Sequence, residues 1–252
     1  MHTFRVPTTR LQIVKLAEVD NRVAIVTGAS QGIGAGLVRG FRDRTYTVVA
    51  TSRSIEPSSD PGVVTIAGDI SSPEVGERVV GEAVRRFGKV DCLVNNAGIF
   101  IGKPFGDYTE ADFANATGTN LRGFFRITQA AMTQMTRQGS GHVVNITASL
   151  VDRPSSQIPA FLAAVTKGGL NYATRALAIE YASRGIRVNA VAPGHVKTPM
   201  HPAETHAMLA KLHPLGRMAE VSDIVEAVLF LETAEFVTGE ILHVDGGQSV
   251  GH

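Results

Sequence analysis

Tryptophan is absent from the 252 residues of the chain, and cysteine occurs once, as Cys92. One cysteine excludes a disulfide framework within the chain and suits a reducing compartment, so the expected location is cytoplasmic. Cys92 stands in the apolar run VDCLVNN and reads as a buried, inert thiol. Surplus charge of either sign is missing too: Lys plus Arg number 24 and Asp plus Glu 23, a formal net charge of +1. That balance leaves no electrostatic footprint for nucleic acid or an anionic membrane. No apolar run approaches the ~20 residues of a membrane span. The first twenty residues carry Arg5, Arg10 and Lys15 without the apolar core of a signal peptide. Residues 1–20 are expected to be an extension, either disordered or marking an early start site, in preference to an organellar presequence.

What is present is the composition of a soluble globular domain, 44% hydrophobic and 19% charged. No repeat or low-complexity block interrupts it. A short β-rich run, a turn and a helical pattern recur. RVAIVT (22–27), TVVATS (47–52), VVTIA (63–67), VDCLVNN (90–96), HVVNIT (142–147), IRVNAVA (186–192) and ILHVD (241–245) read as strands. Helical patterns occupy about 34–44, 73–87, 111–137, 160–184 and 221–233, with Gly185 as a left-handed stop. The short link between the second and third strands contains Pro57 and Pro61, so a loop or single turn is expected there instead of a crossover helix. Near-continuous Val/Ile/Leu strands alternating with helices argue a parallel sheet covered on both faces. The expectation is one α/β domain over 21–252, a Rossmann-type doubly wound sheet of about seven strands, with a polar lid at about 195–215.

TGASQGIG (27–34) places Gly28, Gly32 and Gly34 between the first strand and the first helix. Glycines there let the backbone approach a pyrophosphate, and the helix N-terminus offers unpaired N–H groups. The spacing is Gly-x-x-x-Gly-x-Gly, and a purely structural glycine turn is the competing reading. The end of the second strand bears on which dinucleotide. An acidic residue would bond the ribose hydroxyl of NAD, whereas this chain has Ser52 followed by Arg53. A hydroxyl beside a guanidinium suits a 2′-phosphate, so NADP(H) is favoured over NAD(H).

With TGASQGIG, GDI (68–70), NNAG (95–98), Asn120, Lys167, PGHVKTPM (193–200) and VTGEILHVDGG (237–247), the chain resembles the short-chain dehydrogenase/reductase family, in its compact form typified by bacterial ketoacyl reductases. The resemblance runs from about Arg22 to Gly247. It implies that Gly28, Ser30, Gln31, Gly32, Ile33 and Gly34 hold the pyrophosphate and adenosine side. Asp69 and Ile70 would meet the adenine, and Asn96, Ala97 and Gly98 would lie under the adenosine ribose. Pro193, Gly194, Val196 and Thr198 would line the nicotinamide, and Lys167 would bond its ribose hydroxyls. Asn120 would kink its helix and hold a water in a proton relay. A homo-oligomer, tetramer or dimer, is likewise implied.

The family's proton-donating tyrosine stands four residues before the lysine, where this chain has Ala163. Tyr172 is no local substitute: five residues on, it lies about 140° around the helix from Lys167. The substrate-orienting serine is expected at Ser149, with Thr147 second. Losing a general acid costs ~10²–10⁴ in rate yet leaves positioning intact. The proton would then come from a water held by Asn120 and Lys167, or from the lid, which carries His195, His201, His206 and His213. The plainer reading of those histidines is a lid whose rings are solvated or touch a neighbouring subunit. No His-Glu-x-x-His spacing supports a metal. The expected function is an NADP(H)-dependent oxidoreductase of a carbonyl or secondary alcohol on a small molecule. Its alternatives are a cofactor-binding sensor or partner subunit, and a lyase or isomerase reusing the pocket.

Overall fold

The computed structural model of the chain describes residues 22–251, so the reading of residues 1–20 as an extension lies outside the described residues. Seven strands form one sheet in the order β3-β2-β1-β4-β5-β6-β7. They are β1 (Val23–Thr27), β2 (Thr47–Ser52), β3 (Val63–Ala67), β4 (Cys92–Asn95), β5 (Gly141–Ile146), β6 (Ile186–Pro193) and β7 (Ile241–Val244). Every neighbouring pair is parallel. The order reverses at β1, which opens a crevice beyond the carboxyl ends of β1 and β4, the usual ligand position in such sheets.

The uninterrupted apolar strands follow from two covered faces. In β1, Ala24 and Val26 point into a core with Leu37 and Phe41 of α1 (Gly32–Asp43) and Ile224 and Val228 of α7 (Val221–Thr233). Val23 and Ile25 point the other way, toward Val79 of α2 (Val75–Phe87), Ile127 of α4 (Phe124–Gln138) and Ala178 of α5 (Phe161–Tyr181). The link from β2 to β3 contains no helix, as its prolines require. The helix expected at 111–137 is interrupted. It divides into α3 (Glu110–Thr117), a π-helical turn over Gly118–Gly123, and α4. The wide turn brings Asn120 inward, where its side chain bonds Ile99 and α5. The lid region contains a turn at Ala203–Thr205 and the short helix α6 (His206–Ala210).

At the opposite, amino end of the sheet lies a buried polar group. Tyr46 Oη donates to Glu232 Oε1 at 2.9 Å, and His142 Nδ1 donates to Glu232 Oε2 at 2.5 Å. Asn189 Nδ2 donates to His142 Nε2 at 3.0 Å, which fixes the Nδ1–H tautomer. Burial pulls the His142 pKa down and keeps the ring neutral. Burial pushes Glu232 up, but hydrogen bonds from His142, Tyr46 and Cys92 outweigh it, so its carboxyl stays below the ordinary range. The reading of Cys92 as a buried thiol holds, and burial raises its pKa.

Candidate active site

A cleft of about 870 Å³ opens over the carboxyl ends of the strands. Its walls are the loops after all seven strands, together with α5 and the lid. The sequence assigned this site to residues scattered from 28 to 198. The parallel sheet brings all of them into the cleft wall except Gly34 and Asn120.

Gly34 acts from beneath. A Cβ at this position would stand 2.1 Å from the carbonyl oxygen of Gly28, so only glycine lets α1 start this close to the turn. Gly28, at φ +64, is also close-packed, its virtual Cβ 2.9 Å from Ala97 Cα. Asn96 holds the turn in place: its Nδ2 donates to the carbonyl oxygens of Thr27 at 2.9 Å and Gly28 at 3.1 Å. The amide is therefore committed to the turn, and Asn96 forms part of the cleft wall. α1 begins at Gly32 with no acidic residue in its first turn and no side-chain cap from Gln31. Its leading N–H groups and partial positive charge suit an anion.

Farther along, Ser52 Oγ is buried without a hydrogen-bond partner among the described residues, next to the exposed Arg53. An orphaned buried hydroxyl and an exposed guanidinium at one strand end fit a phosphate oxygen. Asp69 Oδ1 accepts from Ser71 N at 2.9 Å and Ser71 Oγ at 2.8 Å. These bonds, with Arg53 nearby, hold its carboxyl below the usual range. Ile70, Ala97 and Gly98 complete that wall. The glycine turn and this hydroxyl–guanidinium corner together fit a dinucleotide.

At the other end, Lys167 Nζ donates to the carbonyl oxygen of Ile146 at 2.7 Å. Burial lowers its pKa to about 8. A Cβ on Gly98 would come within 3.0 Å of that ammonium, so the glycine keeps the approach clear. One helical turn before Lys167, Ala163 presents only a methyl to the cleft. No tyrosine lines the cleft. Tyr46 bonds Glu232, Tyr108 Oη donates to the carbonyl oxygen of Ile101 at 2.8 Å, and Tyr172 is 74% exposed on the far side of α5.

The two hydroxyls offered for the substrate-orienting role separate. Thr147 Oγ1 donates to the carbonyl oxygen of Val191 at 3.3 Å, inside the sheet. Ser149 Oγ lies in the cleft wall, donating to Gln248 Oε1 at 3.2 Å. Asn120 does not reach the cleft with its side chain. Its Oδ1 accepts from Ile99 N at 2.9 Å, and its Nδ2 donates to Ile99 O at 3.0 Å and Thr166 Oγ1 at 3.1 Å. Every polar atom of the amide is satisfied by protein, so the side chain itself has a positioning role, at the kink expected there. It pins the loop after β4 to α5.

The lid histidines differ in burial: His213 is buried, and His195, His201 and His206 are half-buried. His213 is buried at 3% exposure; its Nδ1 donates to Leu209 O at 3.0 Å and its Nε2 accepts from His195 N at 3.0 Å. The His195 ring stacks edge-on against His201 and His213, with centroids 5.4 Å and 5.3 Å away. Its Nδ1 is buried without a partner among the described residues. Burial, aided by His201 and His213, lowers its pKa to about 4. His206 Nε2 donates to the His201 carbonyl oxygen at 2.9 Å and so ties the lid to itself. Pro193, Gly194, Val196 and Thr198 form the wall beneath, with Thr198 against Gly32.

Gln248 and Arg153 were not foreseen. Both come from loops whose spacing carries no signature, and only the fold sets them beside Ser149 and Gly251.

Residues 28–249 match the family model described as enoyl-(acyl carrier protein) reductase. The chain is 35% identical over 248 residues to an L-fucose dehydrogenase of Bos taurus, covering 92% of this chain and 90% of that one. It is also 35% identical over 243 residues to the 3-oxoacyl-(acyl-carrier-protein) reductase FabG of Vibrio cholerae, covering 91% and 98%. Among solved structures, a 3-ketoacyl-(acyl-carrier-protein) reductase of Brucella melitensis complexed with NADH superposes with a TM-score of 0.85 at 31% identity, covering 91% of this chain and 98% of that one. ElxO with NADP bound gives 0.84 at 28% identity, covering 90% and 98%.

Proposed function

Since the chain belongs to the short-chain dehydrogenase/reductase family, we propose that this oxidoreductase uses NADP(H) to interconvert a carbonyl and a secondary alcohol, with a proton donor other than tyrosine. The observation that carries the reading is one cleft holding the glycine turn, Lys167 and Ser149, with Ala163 between the last two. A bound nicotinamide supplies or accepts the hydride. Ser149 Oγ is free to swing from Gln248 and donate to the substrate oxygen. Lys167, with a pKa of about 8, holds a proton near neutrality. In reduction the substrate oxygen takes its proton from a water held by Lys167 in the space above Ala163, and Lys167 recharges that water from solvent. In oxidation the proton leaves by the reverse path.

NADP(H) is preferred over NAD(H) on the strength of the orphaned Ser52 hydroxyl beside Arg53. Fluorescence titration with NADPH and NADH tests this directly. NADPH is expected to bind roughly tenfold or more tightly, as a charge-assisted hydrogen bond implies, and to lose that advantage in Arg53→Ala. Equal or tighter NADH binding would sink the assignment. A panel of ketones and alcohols tests turnover; none at all while NADPH binds would end the oxidoreductase reading for this cleft.

A second copy of the chain is proposed as partner. Phe161, Val165, Tyr172 and Ile179 follow one stripe of α5 and are between 46% and 82% exposed. An apolar stripe of this kind on a long helix calls for a cover. No helix among the described residues is long and apolar enough to cross a membrane. A cytoplasmic site of action remains the reading of the single, free and buried cysteine.

A further inference from the structure

The substrate end of the cleft contains a cation that no protein group among the described residues answers. Arg153 follows the turn over Ser149–Val151 and lines the same cleft as Ser149 and Ala163. Its Nη1 is buried, and it has no hydrogen-bond partner among the described residues. Leaving a buried guanidinium nitrogen unpaired is unfavourable, and native proteins keep few such groups without a reason. The acid next to it does not serve. Asp152 Oδ2 accepts from His243 Nε2 at 2.8 Å. Of the residues lining the cleft, Asp69 is the single acid, and it follows β3, already bonded to Ser71.

The adenosine end does not account for Arg153 either. Arg53 follows β2, and Arg153 follows β5, three strands away in the sheet order β2-β1-β4-β5. At ~4.8 Å per strand that is roughly 14 Å. Arg153 therefore stands on the side of Ser149, among the apolar Leu150, Pro154 and Ile158 that line this end. A Cβ at Gly251 would stand 3.7 Å from Nη1, so this residue brings no competing side chain. A planar guanidinium in an apolar wall is built to receive the paired oxygens of a carboxylate or phosphate.

We propose that Arg153 binds an anionic group carried by the substrate, so that the protein acts on a keto or hydroxy compound bearing a carboxylate or phosphate. The inference rests on the oxidoreductase reading of the cleft for its reaction and on Arg153 for its substrate class. The test uses pairs differing in one charge: acetoacetate and methyl acetoacetate, levulinate and methyl levulinate, dihydroxyacetone phosphate and dihydroxyacetone. With NADPH, the charged member of at least one pair is expected to exceed its neutral partner in kcat/KM by about tenfold or more, the range of a charge-assisted hydrogen bond. Which pair responds separates carboxylate from phosphate. Arg153→Gln should bring the two members close to parity, and Arg153→Lys should retain part of the difference. Both variants should keep the wild-type NADPH affinity and Tm.

Calorimetric titration of the same acids into the NADP-loaded protein gives a readout independent of turnover. Binding there is expected in wild type and lost in Arg153→Gln. Neutral partners used equally well, or an acid preference that persists in Arg153→Gln, would overturn the inference while leaving the oxidoreductase reading intact. Anion binding through Arg153 without turnover of any pair would do the opposite. Absence of both turnover and anion binding would overturn both.

Discussion

Restoring a tyrosine at position 163 is the sharpest test of how the proton moves. Ala163 lies one helical turn before Lys167, faces a cleft of about 870 Å³, and has no tyrosine near it to compete. A phenol placed there would stand beside an ammonium held by the Ile146 carbonyl oxygen at 2.7 Å. A neighbouring cation favours the phenolate and lowers its pKa by about 1–3 units from the ordinary value of about 10. That places the group in the range where general acid catalysis contributes ~10²–10⁴. Part of this is already supplied by the water route, so Ala163→Tyr is expected to raise kcat/KM for ketone reduction by at least about tenfold, with ~10⁴ as the ceiling. The pH profile should gain a limb between about 7 and 9, where the new phenol titrates. Should the ring be forced into the core behind Ala163, overpacking would cost about 1–3 kcal/mol. In a chain of this size that is a fall in Tm of roughly 2–12 °C. Stopped-flow or steady-state reduction of a turned-over ketone, with Tm and NADPH affinity measured alongside, decides the matter. Unchanged kcat/KM in a variant that keeps both Tm and NADPH affinity would refute the claim that position 163 is the vacated donor position.

Wild-type reduction should hold steady at neutral pH and decline as pH rises through about 8, where Lys167 loses its proton; a decline already complete by pH 6 would instead assign the proton to His195, whose pKa is about 4. Glu232→Ala leaves the donors of His142, Tyr46 and Cys92 buried without an acceptor, so chemical denaturation at pH 7 should show a loss of about 3–5 kcal/mol, and a loss under about 1 kcal/mol would contradict the network. Stability should fall toward acid pH in wild type. Glu232 has a lowered folded pKa, so its contribution is complete above the unfolded carboxyl pKa and is lost as pH falls through the folded value. His142 is also lowered, so the unfolded chain takes up the proton first and gains as pH drops below the ordinary imidazole range. Glu232→Ala should flatten that acid dependence. Placing glutamate at Tyr172 or Ile179 on the exposed stripe of α5 should lower the oligomeric state seen by light scattering; an unchanged mass would remove α5 from the interface.

How much was legible in advance follows from which signals are local. The strand at Val23–Thr27, the glycine turn after it, and α7 at Val221–Thr233 were all readable because apolar period and turn chemistry act over a few residues. The kink expected at Asn120 is there, but its form as a π-helical turn was not legible, because residues 118–123 have no proline and only ordinary glycines. The π-helical turn arises from Asn120 bonding Ile99 and Thr166, partners 21 and 46 residues away. Ser149 and Thr147 could not be separated by spacing, since the difference is that one hydroxyl meets β6 and the other meets Gln248.

The amino-acid sequence by itself determined the alternation of strand and helix, the phosphate-binding turn, and the alanine four residues before Lys167, because each is a property of neighbours along the chain. Tertiary structure decided which polar atoms remain free once the protein has satisfied the rest. It turned the Asn120 side chain away from the cleft, tied the Thr147 hydroxyl to β6, buried His213, and left Ser52, His195 and Arg153 with buried atoms that have no partner among the described residues. Those unsatisfied atoms come from segments far apart in the chain. Burial and hydrogen-bond satisfaction are sums over everything nearby in space, and only the fold sets what is nearby.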